Sequence, residues 1–280
     1  MPFEIVGQAS RPGGAVNEDA AGAARHGDMA TAWVLDGATG LAERELVPDG
    51  PSDAAWLARA LSAALADIDP AGVPVRDYFA QVIDRVATRY RALVPDHAAL
   101  PAYALPSAAG VWLGAGGNRF DLAFQGDCVA VVEQGDAVSV FGTIDQTGCG
   151  TMGDLIAARP RTGGKLLELL GDDLRARRAR LNQPGGYWML GVDPRAAAVM
   201  TMASFTAVPG TRVLLCSDGY WRLVDHFHRH DAAGLLRASF ERGPEALLDE
   251  LRSAEAADPD GPAFPRIKPM DDATALILRF

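Results

Sequence analysis

Two apolar segments of this sequence end in the same dipeptide, Asp-Gly, and this repeated design constrains the fold more than any other feature. The segments are WVLDG at residues 33–37 and VLLCSDG at residues 213–219. Each pattern predicts a buried strand that carries its carboxylate, Asp36 or Asp218, to an edge of a sheet. Because glycine tolerates most backbone conformations, we expect the chain to turn at once after each aspartate and to leave the glycine carbonyl open to a ligand.

Two further acidic motifs stand beside strand-like segments. NEDA lies at residues 17–20, and Asp271-Asp272 comes directly before an apolar run at 273–278. A single Asp-Gly after a strand is most often only a turn, so the inference depends on the combination of the four motifs. Side chains that offer only oxygen are the ligands that Mg²⁺ and Mn²⁺ prefer. The four motifs together therefore predict a site for divalent cations.

The charge of the chain favours the same interpretation. Lys and Arg number 26 against 36 Asp and Glu, which gives a net charge of −10. Such an acidic chain is a poor partner for nucleic acid or for an anionic membrane surface. Two carboxylates about 4 Å apart repel by roughly 4 kcal/mol at an effective dielectric of about 20. Converging aspartates would therefore need protonation or bound cations, and cations would also reverse the local field for a phosphate ester.

The order of strand-like and helix-like patterns predicts antiparallel sheets with segregated helices, because strands come in runs and helices in pairs. We expect a single domain over residues 1–280, with a β-meander between Val111 and Phe141 and a Gly-rich flap at 142–163. The remaining predicted strands cover residues 3–8, 21–26, 29–35, 197–203, 211–216 and 273–280, and the helices cover 52–68, 79–93, 165–181, 220–229, 231–241 and 244–255.

No targeting or membrane signal is visible in the sequence. The N-terminus has no basic region followed by an apolar core, and no apolar run approaches the roughly 20 residues that span a bilayer. Cys128, Cys149 and Cys216 are widely spaced and odd in number. These features predict a reduced, cytoplasmic protein.

The ordered set of motifs resembles the metal-dependent serine/threonine protein phosphatases of the 2C type, the PPM family, in their bacterial form. The resemblance spans nearly the whole chain, from residue 17 to residue 280. It implies a four-layer αββα sandwich, in which two stacked antiparallel sheets are flanked by helix pairs. The matching segments are NEDA at 17–20, VLDG at 34–37, GD at 126–127, LLCSDGYW at 214–221 and DDAT at 271–274.

The resemblance also implies a role for each acidic residue. Asp36 would bridge two Mn²⁺ or Mg²⁺ ions, the carbonyl of Gly37 would bind one of them, and Asp218 and Asp271 would complete the ligands of the other. Glu18 and Asp19 would hold metal-bound waters or ligands, and Asp127 would help to bind a third, looser cation. The implied substrates are phosphorylated proteins, in signalling with a cognate Ser/Thr kinase system, and the implied state is a monomer.

Three positions depart from the family pattern. Ala38 stands where many eukaryotic members have a histidine after Asp-Gly, and Arg222 stands where many members have an aspartate that supports a third metal. Gly14 replaces the usual phosphate-binding arginine, and Arg11 is the nearby candidate to take over that contact.

The expected chemistry is hydrolysis of phosphomonoesters by a water that a pair of cations activates. Two alternatives stay open because of the departures at Gly14, Ala38 and Arg222. One is a catalytically weak, phosphatase-like module that binds and regulates a partner. The other is a phosphatase of a small phosphorylated metabolite.

Overall fold

Ten strands form two antiparallel five-stranded sheets in the part of the chain that the computed structural model describes, residues 3–38, 41–42, 44–48, 50–142, 171–266 and 268–280. The first sheet has the order β1-β10-β9-β6-β7, and the second has the order β2-β3-β4-β5-β8. The strands are β1 (Glu4–Arg11), β2 (Asp19–His26), β3 (Met29–Ala38), β4 (Ser107–Gly116), β5 (Arg119–Gln125), β6 (Val129–Gln134), β7 (Ala137–Phe141), β8 (Thr201–Thr206), β9 (Arg212–Cys216) and β10 (Ala273–Arg279).

Helices cover the outer face of each sheet. The helices α1 (Asp53–Asp67) and α2 (Val75–Leu93) pack on the second sheet, whereas α4 (Asp218–Asp225), α5 (Ala232–Arg242) and α6 (Pro244–Ala257) lie on the first. A further helix, α3 (Gly171–Arg178), follows the segment that the structure does not describe. The layers are therefore helix, sheet, sheet and helix, and the predicted αββα sandwich is confirmed.

The central strands read as continuous apolar runs because both of their faces are buried. In β3, Trp33 and Leu35 pack against the helices, while Val34 between them packs against the other sheet. The core between the two sheets contains Val34, Leu113, Leu122, Val213, Leu215 and Leu276. Each central strand is thus packed on both faces, and this packing fixes the position of the polar residue at its end.

The start of α1 follows the sequence prediction. Ser52 occupies the N-cap, and its hydroxyl oxygen accepts a hydrogen bond from the backbone N–H of Ala55 at 3.0 Å. Leu57, Leu61 and Leu65 on one face of the helix are fully buried. The N-cap places the beginning of α1 directly beside the end of β3.

The predicted β-meander between Val111 and Phe141 is wrong, because the chain changes sheet in its middle. The hairpin of β4 and β5 belongs to the second sheet, and the hairpin of β6 and β7 belongs to the first. Gly126 makes the crossover with a φ of +82°, a value that glycine adopts without strain. Asp127 therefore lies where the chain passes from one sheet to the other.

The predicted strand at 197–203 is also displaced. Residues Pro194–Val199 form a 3₁₀ helix, and β8 begins only at Thr201. Pro194 and the side chain of Asp193, which accepts a hydrogen bond from the N–H of Arg195 at 3.0 Å, favour a tight helical turn over extended backbone. The flap predicted at 142–163, Cys149 and the start of the helix predicted at 165–181 lie outside the described residues.

Within the described ranges, every helix is too short or too polar to cross a bilayer.

Candidate functional site

Asp36 and Asp218 meet at the seam between the two sheets. Asp36 lies near the end of β3, and Asp218 is the first residue of α4, directly after β9. Their carboxyl groups are neighbours, and each shifts the pKa of the other. Burial raises the pKa of Asp36 well above its usual range, and the charges of Asp19 and Asp218 raise it further. Two carboxyl groups from different sheets thus share a site in which full ionisation is unfavourable.

The glycines after these aspartates serve close packing, which corrects the sequence prediction of an immediate turn. β3 continues through Gly37 to Ala38, and Gly219 lies inside the first turn of α4. A Cβ atom on Gly37 would lie 2.6 Å from the carbonyl oxygen of Glu18, and one on Gly219 would lie 1.9 Å from the carbonyl oxygen of Asp272. Only glycine lets the neighbouring backbone approach each aspartate so closely.

Asp19 joins the pair from β2. Its side chain is 7% exposed, and its Oδ2 accepts a hydrogen bond of 2.8 Å from the hydroxyl of Ser217 in the opposite sheet. Burial raises the pKa of Asp19 to about 7, although the hydroxyls of Thr274 and Ser217 act to lower it. Among the residues that the structure describes, none donates a hydrogen bond to the buried Oδ1 atom. A buried carboxylate oxygen of this kind is a candidate ligand atom.

Glu18 and Asp272 hold the loop before β2 against the site. The hydroxyl of Ser52 donates a 2.5 Å hydrogen bond to Oε1 of Glu18, so the cap of α1 also orients this carboxylate. The carboxylate of Asp272 accepts hydrogen bonds of 2.7 Å from the backbone N–H groups of Gly13 and Glu18. The sequence analysis assigned no role in the acidic site to Ser52, Ser217 or Asp272; the short polar residues beside the acidic motifs were the available signal.

Asp127 flanks the pair from the crossover between the sheets. Solvent reaches its side chain, yet the surrounding protein raises its pKa to about 7 by desolvation, with a further contribution from the charge of Asp218. Arg177 on α3 acts in the opposite direction. Asp127 therefore lies near Asp218, on the open side of the cluster.

Asp271 is held differently from the other aspartates. Its Oδ2 forms a 2.6 Å ion pair with Arg222, and its Oδ1 lies 3.2 Å from Nζ of Lys268. Among the residues that the structure describes, no three acidic, histidine or cysteine side chains are arranged to hold a metal ion. The carboxylate of Asp271 is thus engaged by two cationic side chains rather than by the other acids.

Arg11 turns toward α6 on the outside of the first sheet. Its guanidinium forms 2.7 Å ion pairs with Glu245 and Asp249. These contacts count against the predicted phosphate contact, since a guanidinium engaged by two carboxylates has little capacity left for an anion. A Cβ atom on Gly14 would meet no atom within 4 Å, so the position of the missing arginine is open space.

Arg178 on α3 is a further cationic side chain near the acidic cluster. Its Nη1 atom is buried, and no described residue accepts a hydrogen bond from it. Desolvation lowers the pKa of its guanidinium, while the charge of Glu18 acts in the opposite direction, which places Arg178 in the electrostatic neighbourhood of the site. The alternation of arginine and alanine at 175–180 gave no hint that one of them is shielded.

The side chains around Asp36 fit a divalent cation. All of them are oxygen donors, as Mg²⁺ and Mn²⁺ require. The paired carboxyl groups of Asp36 and Asp218 and the orphan Oδ1 of Asp19 are the groups that a positive charge would stabilise. The fit is different at Asp271, where Arg222 and Lys268 already supply positive charge.

Comparison with known proteins identifies the fold. No family model and no curated protein matches the sequence. Among solved structures, the chain is similar to the serine/threonine phosphatase PstP/Ppp of Mycobacterium tuberculosis, with 19% identity, a TM-score of 0.56 and coverage of 98% of this chain and 97% of that one. It is also similar to the phosphatase Stp1 of Staphylococcus aureus, with 13% identity, a TM-score of 0.60 and coverage of 100% and 96%. A third match is a catalytic domain of PstP in complex with two manganese ions, with 16% identity, a TM-score of 0.53 and coverage of 97% and 96%.

Proposed function

We propose that this chain, which has the fold of bacterial serine/threonine phosphatases, is itself a metal-dependent serine/threonine protein phosphatase that hydrolyses phosphomonoesters. The observation that carries the proposal is the cross-sheet carboxyl pair of Asp36 and Asp218, with the unpartnered Oδ1 of Asp19 beside it. Burial and the charges of neighbouring acids dominate the surroundings of Asp36 and Asp19, and a cation site accounts for such a group of acids.

The residues that would hold two divalent cations are Asp36, the carbonyl of Gly37, Asp218 and Asp271, with Asp218 and Asp271 on the same cation. Glu18 and Asp19 would orient bound water, and Asp127 is the candidate for a third position. When bound, divalent cations lower the pKa of water and neutralise the phosphate oxygens. A bound cation would favour the ionised carboxylates of Asp36 and Asp218, and the 2.8 Å hydrogen bond from Ser217 would keep Asp19 oriented.

A covalent route through cysteine is disfavoured by the described part of the chain. Cys128 and Cys216 are fully buried, and burial raises the pKa of each thiol well above its usual value. Since the thiolate is the nucleophile, neither side chain can attack phosphorus. Ala38, which follows Asp36-Gly37, cannot act as a general acid. A water molecule would have to take that role.

Arg178 is the residue that we propose for recognition of the substrate phosphate. Its buried Nη1 lacks a partner, unlike the guanidinium of Arg11, and Glu18 is an electrostatic neighbour. A guanidinium matches two oxygens of a phosphate dianion with its planar pair of donors. Binding of the phosphate would satisfy a donor that the folded protein leaves unpaired.

Substrate class, cation and cellular setting complete the proposal. Phosphoserine and phosphothreonine in proteins are the expected substrates, Mn²⁺ or Mg²⁺ the expected cofactors, and a cognate Ser/Thr kinase system in the cytoplasm the expected setting. We expect a monomer.

One assay tests the function. Phosphothreonine and phosphotyrosine peptides of the same sequence are incubated with the protein and Mn²⁺, Mg²⁺ or EDTA, and released phosphate is measured. Turnover that requires metal and prefers phosphothreonine supports the proposal. Metal binding without turnover would instead indicate a regulatory binding module, and turnover of small phosphate esters alone would indicate a metabolite phosphatase.

A further inference from the structure

A small cavity lies between the start of β4 and the turn that follows α3. Its volume is about 50 Å³. Most of its wall is apolar and is formed by Ala102, Leu105, Pro106, Leu181 and Val192. Because one water molecule needs about 10–15 Å³ of such space, the cavity has room for roughly three or four waters, or for a side chain of about as many heavy atoms.

The cavity adjoins the acidic cluster through β4. Asp36 on β3 pairs with Ala109 on β4, and Pro106 in the cavity wall lies three residues before Ala109. At about 3.3 Å per residue, the cavity is therefore about 10 Å from the level of Asp36. An extended substrate chain covers the same distance in about three residues.

The turn after α3 connects the cavity to the side chain that we propose for the phosphate. The N–H of Leu181 donates a 3.0 Å hydrogen bond to the backbone carbonyl of Arg178. The guanidinium of Arg178 in turn lies in the electrostatic neighbourhood of Glu18. A single short segment of the chain therefore contributes both to the proposed phosphate contact and to the cavity wall.

The polar side chains around the cavity are already engaged or exposed. Oδ1 of Asn182 accepts a 2.9 Å hydrogen bond from the N–H of Met189, and the carboxylate of Asp193 forms a 2.6 Å ion pair with Arg195. Gln183 is exposed, so the cavity opens to solvent beside it. The wall thus offers an apolar surface without an unbalanced charge, which fits an uncharged apolar group.

Backbone hydrogen bonds fix the walls of the cavity. Ala108 and Leu190 exchange two of them, at 2.8 and 3.0 Å, which joins the start of β4 to the segment before Val192. The N–H of Asn182 donates a further one of 2.8 Å to the carbonyl of Tyr187. A cavity with walls fixed in this way is formed before a ligand arrives, so binding costs little ordering of the protein.

We propose that this cavity is a specificity subsite for the substrate protein, and that it binds one apolar side chain of about the size of valine, about three residues from the phosphorylated residue. The inference rests on the proposed function, which it deepens by naming a sequence preference of the substrate. A phosphate ester without a peptide chain cannot fill the cavity, so the subsite favours a protein over a small metabolite as the substrate.

The test measures the hydrolysis of phosphothreonine peptides with Mn²⁺. Glycine and serine surround the phosphothreonine, and a single valine is placed at each flanking position in turn. kcat/KM should rise about fivefold to tenfold when the valine lies about three residues away on one side, because its side chain becomes buried, and should stay constant elsewhere. p-Nitrophenyl phosphate has no flanking residue and reports the chemistry alone.

Two variants change the size of the cavity in opposite directions. Ala102→Leu should fill it and reduce the preference for valine to less than about twofold, whereas Val192→Ala should enlarge it and shift the preference to leucine. Both should hydrolyse p-nitrophenyl phosphate at the wild-type rate, because this substrate does not reach the cavity. Ala98→Leu in the exposed 3₁₀ helix Pro95–Ala99 is the matched control and should keep the preference for valine.

Two outcomes would overturn the inference alone. These are a valine that raises kcat/KM at no flanking position, and a preference for valine that is unchanged in both Ala102→Leu and Val192→Ala. If one variant fails to fold, which loss of p-nitrophenyl phosphate turnover would reveal, the other variant still decides the question. If the wild-type protein with Mn²⁺ hydrolyses neither the peptides nor p-nitrophenyl phosphate, the proposed function fails and the inference fails with it, so the two failures are distinguishable.

Discussion

At the scale of single residues, the site is a group of acids whose charges are unfavourable in the absence of a ligand. Burial raises the pKa of Asp36 and of Asp19, and the charge of Asp218 acts in the same direction on both. On the second sheet, one oxygen of Asp19 accepts a hydrogen bond from the hydroxyl of Ser217. Its other oxygen, Oδ1, has no partner among the described residues. The arrangement of these acids thus favours the binding of a cation at the expense of the stability of the metal-free protein.

Replacement of Asp36 by asparagine should separate function from stability. Turnover should fall by about two orders of magnitude or more, because a proposed bridging ligand is lost. Stability of the metal-free protein at pH 8 should stay constant or rise by about 1–3 kcal/mol, since the variant removes a charge whose ionisation is unfavourable. Phosphate release and chemical denaturation with EDTA measure the two effects. Asp136→Asn in the exposed β6–β7 turn is the control, and a sharply less stable Asp36→Asn protein would contradict the prediction.

Replacement of Arg178 by alanine tests phosphate recognition. KM for a phosphothreonine peptide should rise about tenfold or more, because a charge-assisted contact with the phosphate is lost, while Mn²⁺ affinity measured by calorimetry stays unchanged. Arg178→Lys should recover part of the loss. Arg175→Ala on the same helix removes an exposed guanidinium that pairs with Asp172 and should leave KM unchanged. An equal KM for Arg178→Ala and the wild-type protein would exclude this role.

At the scale of elements, each acidic residue depends on the close approach of two backbone segments. Gly37 brings β3 against the carbonyl groups of Glu18 and Ala54, and Gly219 brings α4 against the carbonyl of Asp272. The hydroxyl of Ser52 both caps α1 and holds Glu18. The site is therefore built from the ends of strands and the beginnings of helices.

Addition of one methyl group at Gly37 should disturb this arrangement. In Gly37→Ala, the new Cβ would lie 2.6 Å from the carbonyl oxygen of Glu18 and 2.8 Å from that of Ala54, and neither backbone segment is free to move. Thermal unfolding should show a loss of about 1–3 kcal/mol. Gly14→Ala, whose Cβ would meet nothing within 4 Å, is the matched control. Equal melting temperatures of the two variants would show that the backbone at Glu18 and Ala54 shifts to accommodate the new Cβ atom.

The elements show which features the sequence could predict. The apolar runs before Asp36 and Asp218 and the cap at Ser52 are local patterns, and the strands and the helix α1 follow from them. The crossover at Gly126 and the cross-sheet bond from Ser217 to Asp19 join segments that no local pattern connects. The contacts of Arg11, Arg178 and Arg222 depend on side-chain directions in the folded state, which is why the sequence placed Arg11 at the phosphate and overlooked Arg178.

At the scale of the whole molecule, the two sheets meet at the acidic cluster, so the local repulsion acts on their stacking. Asp36 and Asp19 belong to the second sheet, while Asp218 and Asp271 stand at strand ends of the first. The sheets are otherwise joined by an apolar core. The charge state of the cluster should therefore influence global stability.

The metal-free protein should lose stability as the pH rises from about 4 to about 7. The folded-state pKa values of Asp19 and Asp127 are raised to about 7, above the unfolded value near 3.9. A raised pKa means that the stabilising contribution is complete below pH 4 and is lost as the pH passes through the folded value. Melting temperatures in EDTA across this range measure the slope. Asp127→Asn should make the melting temperature depend less on pH, and Mn²⁺ at pH 7.5 should raise the melting temperature. A melting temperature in EDTA that rises with pH would contradict the raised pKa values.

The division of ligands between the two sheets also has a consequence for how the chain assembles. A half-built molecule with one sheet formed holds only part of the acidic cluster, either Asp36 with Asp19 or Asp218 with Asp271, and under the proposed function it would retain a divalent ion poorly. Tight retention would arise only once both sheets have formed and stacked in register. A retained ion would therefore report that the chain has finished folding.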